Sequence, residues 1–162
     1  MQHRYLVAFD PALRNCGVAI YHDSWLIACT TVLNRYTRTR GPQVWDGLAK
    51  SVHAWVTGRV ASGCAYHYAT ELMEGGRGGA TEDLLEIHGV IGAIVGKLQA
   101  THPGLWTTYL PKQWKGQVPK PVMLPRIMTR LSPTELAVVA RDKPDHNAMD
   151  AIGVGLHHQA RL

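Results

Sequence analysis

Cysteine is scarce in this sequence, and long apolar runs and a phosphate-binding loop are absent from it. Cys16, Cys29 and Cys64 are odd in number and widely spaced, which argues against a disulfide framework or a zinc site and predicts a place in or near the core. No apolar stretch reaches the roughly 18 residues that a membrane-spanning helix needs. The N-terminus does not resemble a signal peptide, and the glycine-rich segment 75–79 is not followed by Gly-Lys-Ser/Thr as in a P-loop. We therefore expect a soluble cytoplasmic protein.

Hydrophobic residues make up 46% of the 162 residues, enough for one compact domain over 1–162 with a real core. The formal charge is +5, a weak indication of a nucleic-acid partner. Much of the excess lies in segments 34–43 and 111–121, which look like loops. A solvated surface explains either segment equally well.

Alternation and helical periodicity predict an α/β protein. The predicted strands are 4–10, 16–21, 25–33, 64–73 and 105–110, and the predicted helices are 43–59, 81–100, 121–131 and two C-terminal helices beginning after Ser132 and Asp145. The first three strands follow one another closely, so they should form an antiparallel meander. The last two are each reached through a helix and should lie parallel to the first. The expected fold is a mixed five-stranded sheet flanked by helices.

The two C-terminal helices have recognisable starts. Ser132 and Glu135 have the spacing of a capping box, and Asp145 is the expected N-cap of the last helix. In that helix Gly153 and Gly155 should permit close packing on the sheet. Its apolar stripe consists of Met149, Ile152 and Leu156.

Three acids lie near the ends of three different elements of this fold. Asp10 ends the first strand, Glu71 lies near the end of the fourth, and Asp150 lies one turn into the last helix. Neighbouring parallel strands end at the same sheet edge, so Asp10 and Glu71 should emerge there together. If the last helix packs across the sheet, Asp150 can meet them. Their repulsion favours a hard divalent cation such as Mg²⁺, with two ions able to act on a phosphodiester. The alternatives are that Asp10 starts a turn, Glu71 is exposed and Asp150 pairs with an arginine.

Four motifs carry a resemblance to a known family. "VAFDPALRNCGVAIY", "YATELM", "PKQWKGQVPK" and "NAMDAIGVGLHH" occur in this order over nearly the whole chain. Together they resemble the RuvC-type Holliday junction resolvases of the RNase H-like superfamily, in their phage-like branch.

The resemblance implies a homodimeric endonuclease, dependent on Mg²⁺ or Mn²⁺, that resolves four-way DNA junctions by paired symmetric nicks. It implies the cytoplasm of a bacterial or phage-infected cell. By position it implies four metal ligands: Asp10, Glu71, Asn147 and Asp150. Asn147 departs from the Asp or His usual in the family, so His146 is a second candidate, as a proton donor or for orienting a water. A plain surface role for His146 fits equally well.

Charge and position predict contacts with DNA, and the resemblance adds the lysines of the segment after the fifth strand. The candidates are Lys112, Lys115, Lys120, Trp114, Arg14 and Arg77, with Arg35, Arg38 and Arg40 as weaker ones. Trp114 would stack on a base, although a ring anchored in the core is the alternative. Glu74 stands where the family often has an aromatic wedge, so Met73 or the glycine-rich loop would have to open the junction.

Two helix surfaces complete the interpretation. One side of helix 81–100 should pack on the sheet, and the other should form the dimer interface, with Gly89, Gly92 and Gly96 open to a second backbone. His157 and His158 should interact, when protonated, with the C-terminus of the last helix. The alternative functions are an RNase H-like nuclease for branched or flap DNA or structured RNA of the YqgF type, and a non-catalytic DNA-binding module.

Overall fold

The computed structural model describes residues 4–34, 40–73 and 81–162. Its strands are β1 Arg4–Pro11, β2 Asn15–His22, β3 Trp25–Leu33, β4 Ala65–Glu71 and β5 Gly104–Tyr109. Its helices are α1 Pro42–Thr57, α2 Thr81–Thr101, α3 Pro111–Trp114, α4 Lys120–Met128, α5 Pro133–Asp142 and α6 His146–His158. The predicted element order is confirmed. No helix in the described ranges is long and apolar enough to cross a membrane.

The five strands form one mixed sheet in the order β3-β2-β1-β4-β5. β1 pairs antiparallel with β2, and β2 pairs antiparallel with β3, so the predicted meander is confirmed. β4 lies parallel to β1 on its other side, and β5 lies parallel to β4. The helical connections force this parallel arrangement, since a crossover returns the chain to the same end of the sheet.

The sheet separates two hydrophobic layers. Tyr5, Val7 and Phe9 point from β1 into the layer that α1 and α2 cover. Leu6 and Ala8 point to the opposite layer, which α4, α5 and α6 cover. This alternation follows from the two-residue repeat of a strand and determines which face each site residue occupies.

Both predicted helix starts are present. Ser132 caps α5 through the backbone N–H of Glu135, and the Glu135 carboxylate accepts from the backbone N–H of Ser132 at 2.9 Å. Asp145 accepts from the backbone N–H groups of Asn147 and Ala148 at the start of α6. Each cap satisfies donors that the first helical turn leaves without partners.

Glu135 has a second role that the sequence pattern did not indicate. Its side chain is fully buried and accepts hydrogen bonds from the guanidinium of Arg161, the shorter at 2.6 Å. Burial acts to raise the pKa of Glu135, but Arg161 and the backbone N–H groups of Leu26 and Ser132 hold it down at about 2. The ion pair ties the C-terminus to α5 and β3.

The segment 111–121 differs from the expected loop. Pro111 begins the short helix α3, and the backbone N–H of Leu110 donates to the Gln113 side chain at 2.6 Å. Proline suits the first helical position because its missing N–H would have no intrahelical partner there. The cysteine prediction holds: Cys16 and Cys29 are buried, Cys64 is half-buried, and all three are free thiols.

Candidate active site

Asp10 and Glu71 occupy equivalent positions on neighbouring parallel strands. Phe9 pairs with Thr70, and the two acids come next along their strands. Ala8 and Ala69, two residues before each acid, pack in the layer that contains α6. Because side chains alternate along a strand, Asp10 and Glu71 belong to the same face as α6.

α6 lies unusually close to this face of the sheet. A Cβ on Gly17 of β2 would stand 2.0 Å from the backbone oxygen of Asn147, so only glycine fits there. Gly17 is the β2 partner of Asp10. Farther along α6, Gly155 leaves room for the ring of Tyr21, whose hydroxyl donates to the Ile152 carbonyl at 2.8 Å. The close packing places the first turns of α6, with Asp150, beside the strand ends that carry Asp10 and Glu71.

Lys115 joins the acid on the sheet to the acid on the helix. Its ammonium lies 2.9 Å from Glu71 Oε2 and 2.9 Å from Asp150 Oδ2. Burial alone would lower the pKa of Lys115, but its hydrogen bonds to Asp150 and Glu71 and their negative charges raise it overall. The charged ammonium therefore balances two mostly buried carboxylates. Asp150 pairs with a lysine, where the alternative interpretation expected an arginine.

Trp114 completes the support of Glu71. Its indole Nε1 donates to Glu71 Oε2 at 2.7 Å, and its ring packs in the hydrophobic layer beneath α6 with 3% of its surface exposed. A buried ring cannot stack on a DNA base, so the structure contradicts that role and agrees with the core-anchoring alternative. Trp114 instead holds the carboxylate of Glu71 in position.

The carboxylate oxygens of Glu71 and Asp150 are ligands of the kind that a hard divalent cation binds. Glu71 and Asp150 already hold a cationic ammonium between their oxygens, which is where such an ion would be attracted. Among residues 4–34, 40–73 and 81–162, however, no group of three His, Cys, Asp or Glu side chains is placed to hold a metal ion.

Asn147 and His146 lie on different sides of the first turn of α6. The backbone carbonyl of Asn147 packs against Gly17, next to the strand end of Asp10. His146 is exposed and lines a cavity together with Lys115 and Asp150. The Asn147 backbone thus borders the β2 partner of Asp10, and the His146 side chain borders the cavity.

The other predicted DNA contacts are placed unequally. Arg14 is exposed in the turn that follows β1, and Met73, 44% exposed, follows β4 at the same edge as the acids. Lys112 is exposed on α3. Arg40 already forms ion pairs with Glu82 and Asp83. Arg77, Glu74, Arg35, Arg38 and the side chain of Lys120 lie outside what the structure describes.

The two histidines at the end of α6 are partly buried and make ring contacts with β5. Burial lowers the pKa of both His157 and His158, which disfavours the protonated form. The Tyr109 hydroxyl lies 2.9 Å from His158 Nδ1, and the Tyr109 ring packs edge-on against His157. These side chains hold α6 against β5. Their interaction with the helix end when protonated stays a prediction.

The glycines of α2 have different surroundings. Gly89 is covered by the ring of Trp45 on α1, so it accommodates another helix of the same chain. A Cβ on Gly92 or Gly96 would meet nothing within 4 Å, and Leu85 on the same helix is 64% exposed. Of the three glycines that were predicted to face a second copy, Gly92 and Gly96 are therefore uncovered, and Gly89 is covered.

The sheet order and the helices on its two faces define the RNase H-like fold. The solved structure of Thermus thermophilus RuvC in complex with a Holliday junction substrate shares it, with a TM-score of 0.72 and 14% identity over 96% of this chain and 92% of that chain. Another Thermus thermophilus RuvC structure gives a TM-score of 0.63 at 14% identity, over 96% and 93%. No protein-family model and no curated protein match the sequence. At this identity the likeness establishes the fold alone.

The contacts of two site residues, Lys115 and Gly17, were not predicted from the sequence. Lys115 was expected to contact DNA, whereas it bridges Glu71 and Asp150. Gly17 lies within the first family-like motif and was assigned no contact, whereas the first turn of α6 packs against it. The available signals were a lysine next to a tryptophan and a glycine inside an apolar strand. Neither signal identifies the distant residue that makes the contact.

Proposed function

We propose that this chain is a divalent-metal-dependent DNA endonuclease that resolves four-way junctions by paired symmetric nicks. The observation that carries the proposal is that Asp10 and Glu71 belong to one face and one edge of an RNase H-like sheet, and that Lys115 links Glu71 to Asp150 of α6. Unrelated surface acids have no reason to converge where parallel strands end, the edge at which open sheets carry their sites. The junction-bound RuvC neighbour supports the choice of substrate.

Asp10, Glu71 and Asp150 are the proposed metal ligands, with the side-chain oxygen of Asn147 as the fourth. Mg²⁺ or Mn²⁺, with two ions per site, would activate water and stabilise the charge on the phosphate. Trp114 fixes Glu71, and Gly17 lets α6 bring Asp150 to the sheet. Lys115 holds the two carboxylates together before a cation is present, which limits their mutual repulsion.

The proposed DNA surface surrounds these acids. Arg14, Lys112 and Met73 are exposed near the site, and Lys120 and Arg77 are retained from the sequence interpretation. Cations near the site would neutralise phosphates, so binding should weaken steeply with salt. Paired nicks require two sites, and we propose a homodimer that uses the outer side of α2 near Leu85, Gly92 and Gly96.

A junction-cleavage assay tests the proposal. Purified protein with Mg²⁺ should place two symmetric nicks in a mobile four-way junction, and Asp10→Asn should abolish cutting while the junction Kd is retained. The reason is that the amide removes a proposed ligand charge without changing the shape of the strand end. Forks, flaps and structured RNA in the same assay separate the junction resolvase from a nuclease of other specificity.

Asp46→Asn is the matched control, because Asp46 lies on α1 across the sheet and is half-exposed. It should cut like the parent protein. Cutting by neither parent nor control under any divalent ion, with junction binding intact, would instead favour the non-catalytic DNA-binding module. Asn147, in place of the Asp or His usual in the family, and Glu74, in place of an aromatic, are the residues that favour this second candidate.

A further inference from the structure

A cavity of about 470 Å³ opens beside the acids, between α4, α5 and the first turn of α6. Its volume is within the range of roughly 300–1,000 Å³ that is typical of ligand-binding pockets. Its wall is mostly apolar, with contributions from Met123, Leu124 and Ile127 of α4, Val139 of α5 and Met149 of α6. Leu124 remains 48% exposed, so the hydrophobic layer is not closed at this point.

The charged groups of the cavity connect it with the candidate active site. Lys115 and Asp150 line the cavity and also form the ion pair beside Glu71. Lys143, Asp145 and His146 contribute further polar groups to the lining, and all three are exposed. A ligand in the cavity would therefore have its apolar part against α4 and α6 and any anionic part near Lys115 and Lys143.

We propose that the cavity receives one unpaired nucleobase of the DNA strand whose phosphate lies at the acidic site. The inference rests on the proposed function and adds a base-binding site to it. A nucleotide combines a flat, weakly polar ring with an anionic phosphate. The apolar wall matches the ring, and Lys143, the lining cation that is not part of the Glu71–Lys115–Asp150 group, lies where a phosphate would be neutralised. Bases at a branch point have lost part of their pairing, which lowers the cost of turning one out of the stack.

The wall also determines what kind of recognition the site gives. Met123 and Met149 offer polarisable thioethers, which make favourable contacts with aromatic rings. The aliphatic side chains around them have no hydrogen-bonding groups to read a base edge. The apolar wall therefore selects a base by its size and by how easily it leaves the stack, and only the exposed Lys143, Asp145 and His146 are available to its polar edge. The cavity restricts cutting to phosphates next to an opened base pair.

The test uses a four-way junction with 2-aminopurine placed in turn at each nucleotide flanking the cut phosphate. Binding is measured in Ca²⁺, which slows cutting, so the readout does not depend on catalysis. At the position whose base enters the cavity, fluorescence should rise severalfold when the parent protein binds, because 2-aminopurine brightens when unstacked. Leu124→Trp, which puts a large ring at the mouth, should abolish the rise while junction binding is kept.

Val122→Trp is the matched control. Val122 lies on the same helix, is 54% exposed and does not line the cavity, so this variant should give the full signal. Val139→Phe fills the cavity from the opposite wall and should reproduce the loss. Circular dichroism of each variant confirms folding.

The outcomes separate this inference from the proposed function. If the parent protein cuts junctions but the fluorescence rise is missing, or is equal in Leu124→Trp and Val122→Trp, the base-binding site is wrong and the nuclease assignment stands. If the parent protein binds no junction, both are overturned.

Discussion

Gly17→Ala should separate α6 from the sheet and thereby disturb the active site without touching an acid. The new Cβ would stand 2.0 Å from Asn147 O, 2.4 Å from its carbonyl carbon and 2.9 Å from Ala148 N. These are backbone atoms, which cannot rotate away as a side chain can. Restoring a distance of 3.4 Å from the oxygen requires a displacement of about 1.4 Å in the first turn of α6.

This displacement should affect both the free energy of unfolding and the rate of cutting. Overpacking a tight contact costs about 1–3 kcal/mol of the free energy of unfolding. A misplacement of about 1 Å in a catalytic group lowers a rate by about 100-fold. We expect the midpoint of urea denaturation to fall modestly and the single-turnover rate of junction cutting to fall by about two orders of magnitude.

Gly58→Ala is the control for this substitution. Gly58 has φ −72° at the end of α1, and an added Cβ would meet Ala54 O at an ordinary 3.4 Å. Both stability and cutting should be nearly unchanged there. Normal cutting by Gly17→Ala would refute the argument that this glycine positions Asp150, whatever the loss in stability.

Two further predictions concern ion pairs. Arg161→Met should reduce the free energy of unfolding by about 3–5 kcal/mol, because it leaves the buried Glu135 carboxylate without its partner. In urea denaturation Arg141→Met, at an exposed arginine, should cost less than about 1 kcal/mol, and equal losses would contradict the argument. The folded-state pKa of Glu135 is about 2, below the ordinary 4.5, so its stabilisation is complete above pH 4.5 and disappears as the pH falls towards 2. Arg161→Met should flatten that part of the stability profile. Lys115→Gln should lower the free energy of unfolding of the metal-free protein by about 1–3 kcal/mol. It should also enlarge the rise in Tm on adding Mg²⁺, measured by differential scanning fluorimetry with Lys112→Gln as the control. Equal rises in the two variants would show that Lys115 does not occupy the cation position.

The fold was largely predictable because its signals are local. Strand alternation, helical periodicity and the caps at Ser132 and Asp145 each depend on residues within a few positions of one another, and the structure contains all of them. The order of elements then restricts the sheet to a meander followed by parallel strands. The short helix α3 was missed because four residues carry no periodic pattern.

The site was predictable only in part. Asp10 and Glu71 could be brought together from sequence, because parallel neighbouring strands must end at the same edge. The roles of Lys115, Trp114 and Gly17 could not, since each depends on contacts with residues far away along the chain. Sequence patterns show that such residues are buried or charged, but they do not show which distant group each one meets.

The sequence by itself thus determined the elements, their order, and the face and edge to which Asp10 and Glu71 belong. Tertiary structure alone decided that α6 packs closely against Gly17, that an ammonium lies between Glu71 and Asp150, and that the ring of Trp114 is buried. The physical reason is the separation along the chain between the residues that interact. Backbone geometry repeats over two to four residues and is encoded locally, whereas these contacts depend on how whole layers pack together.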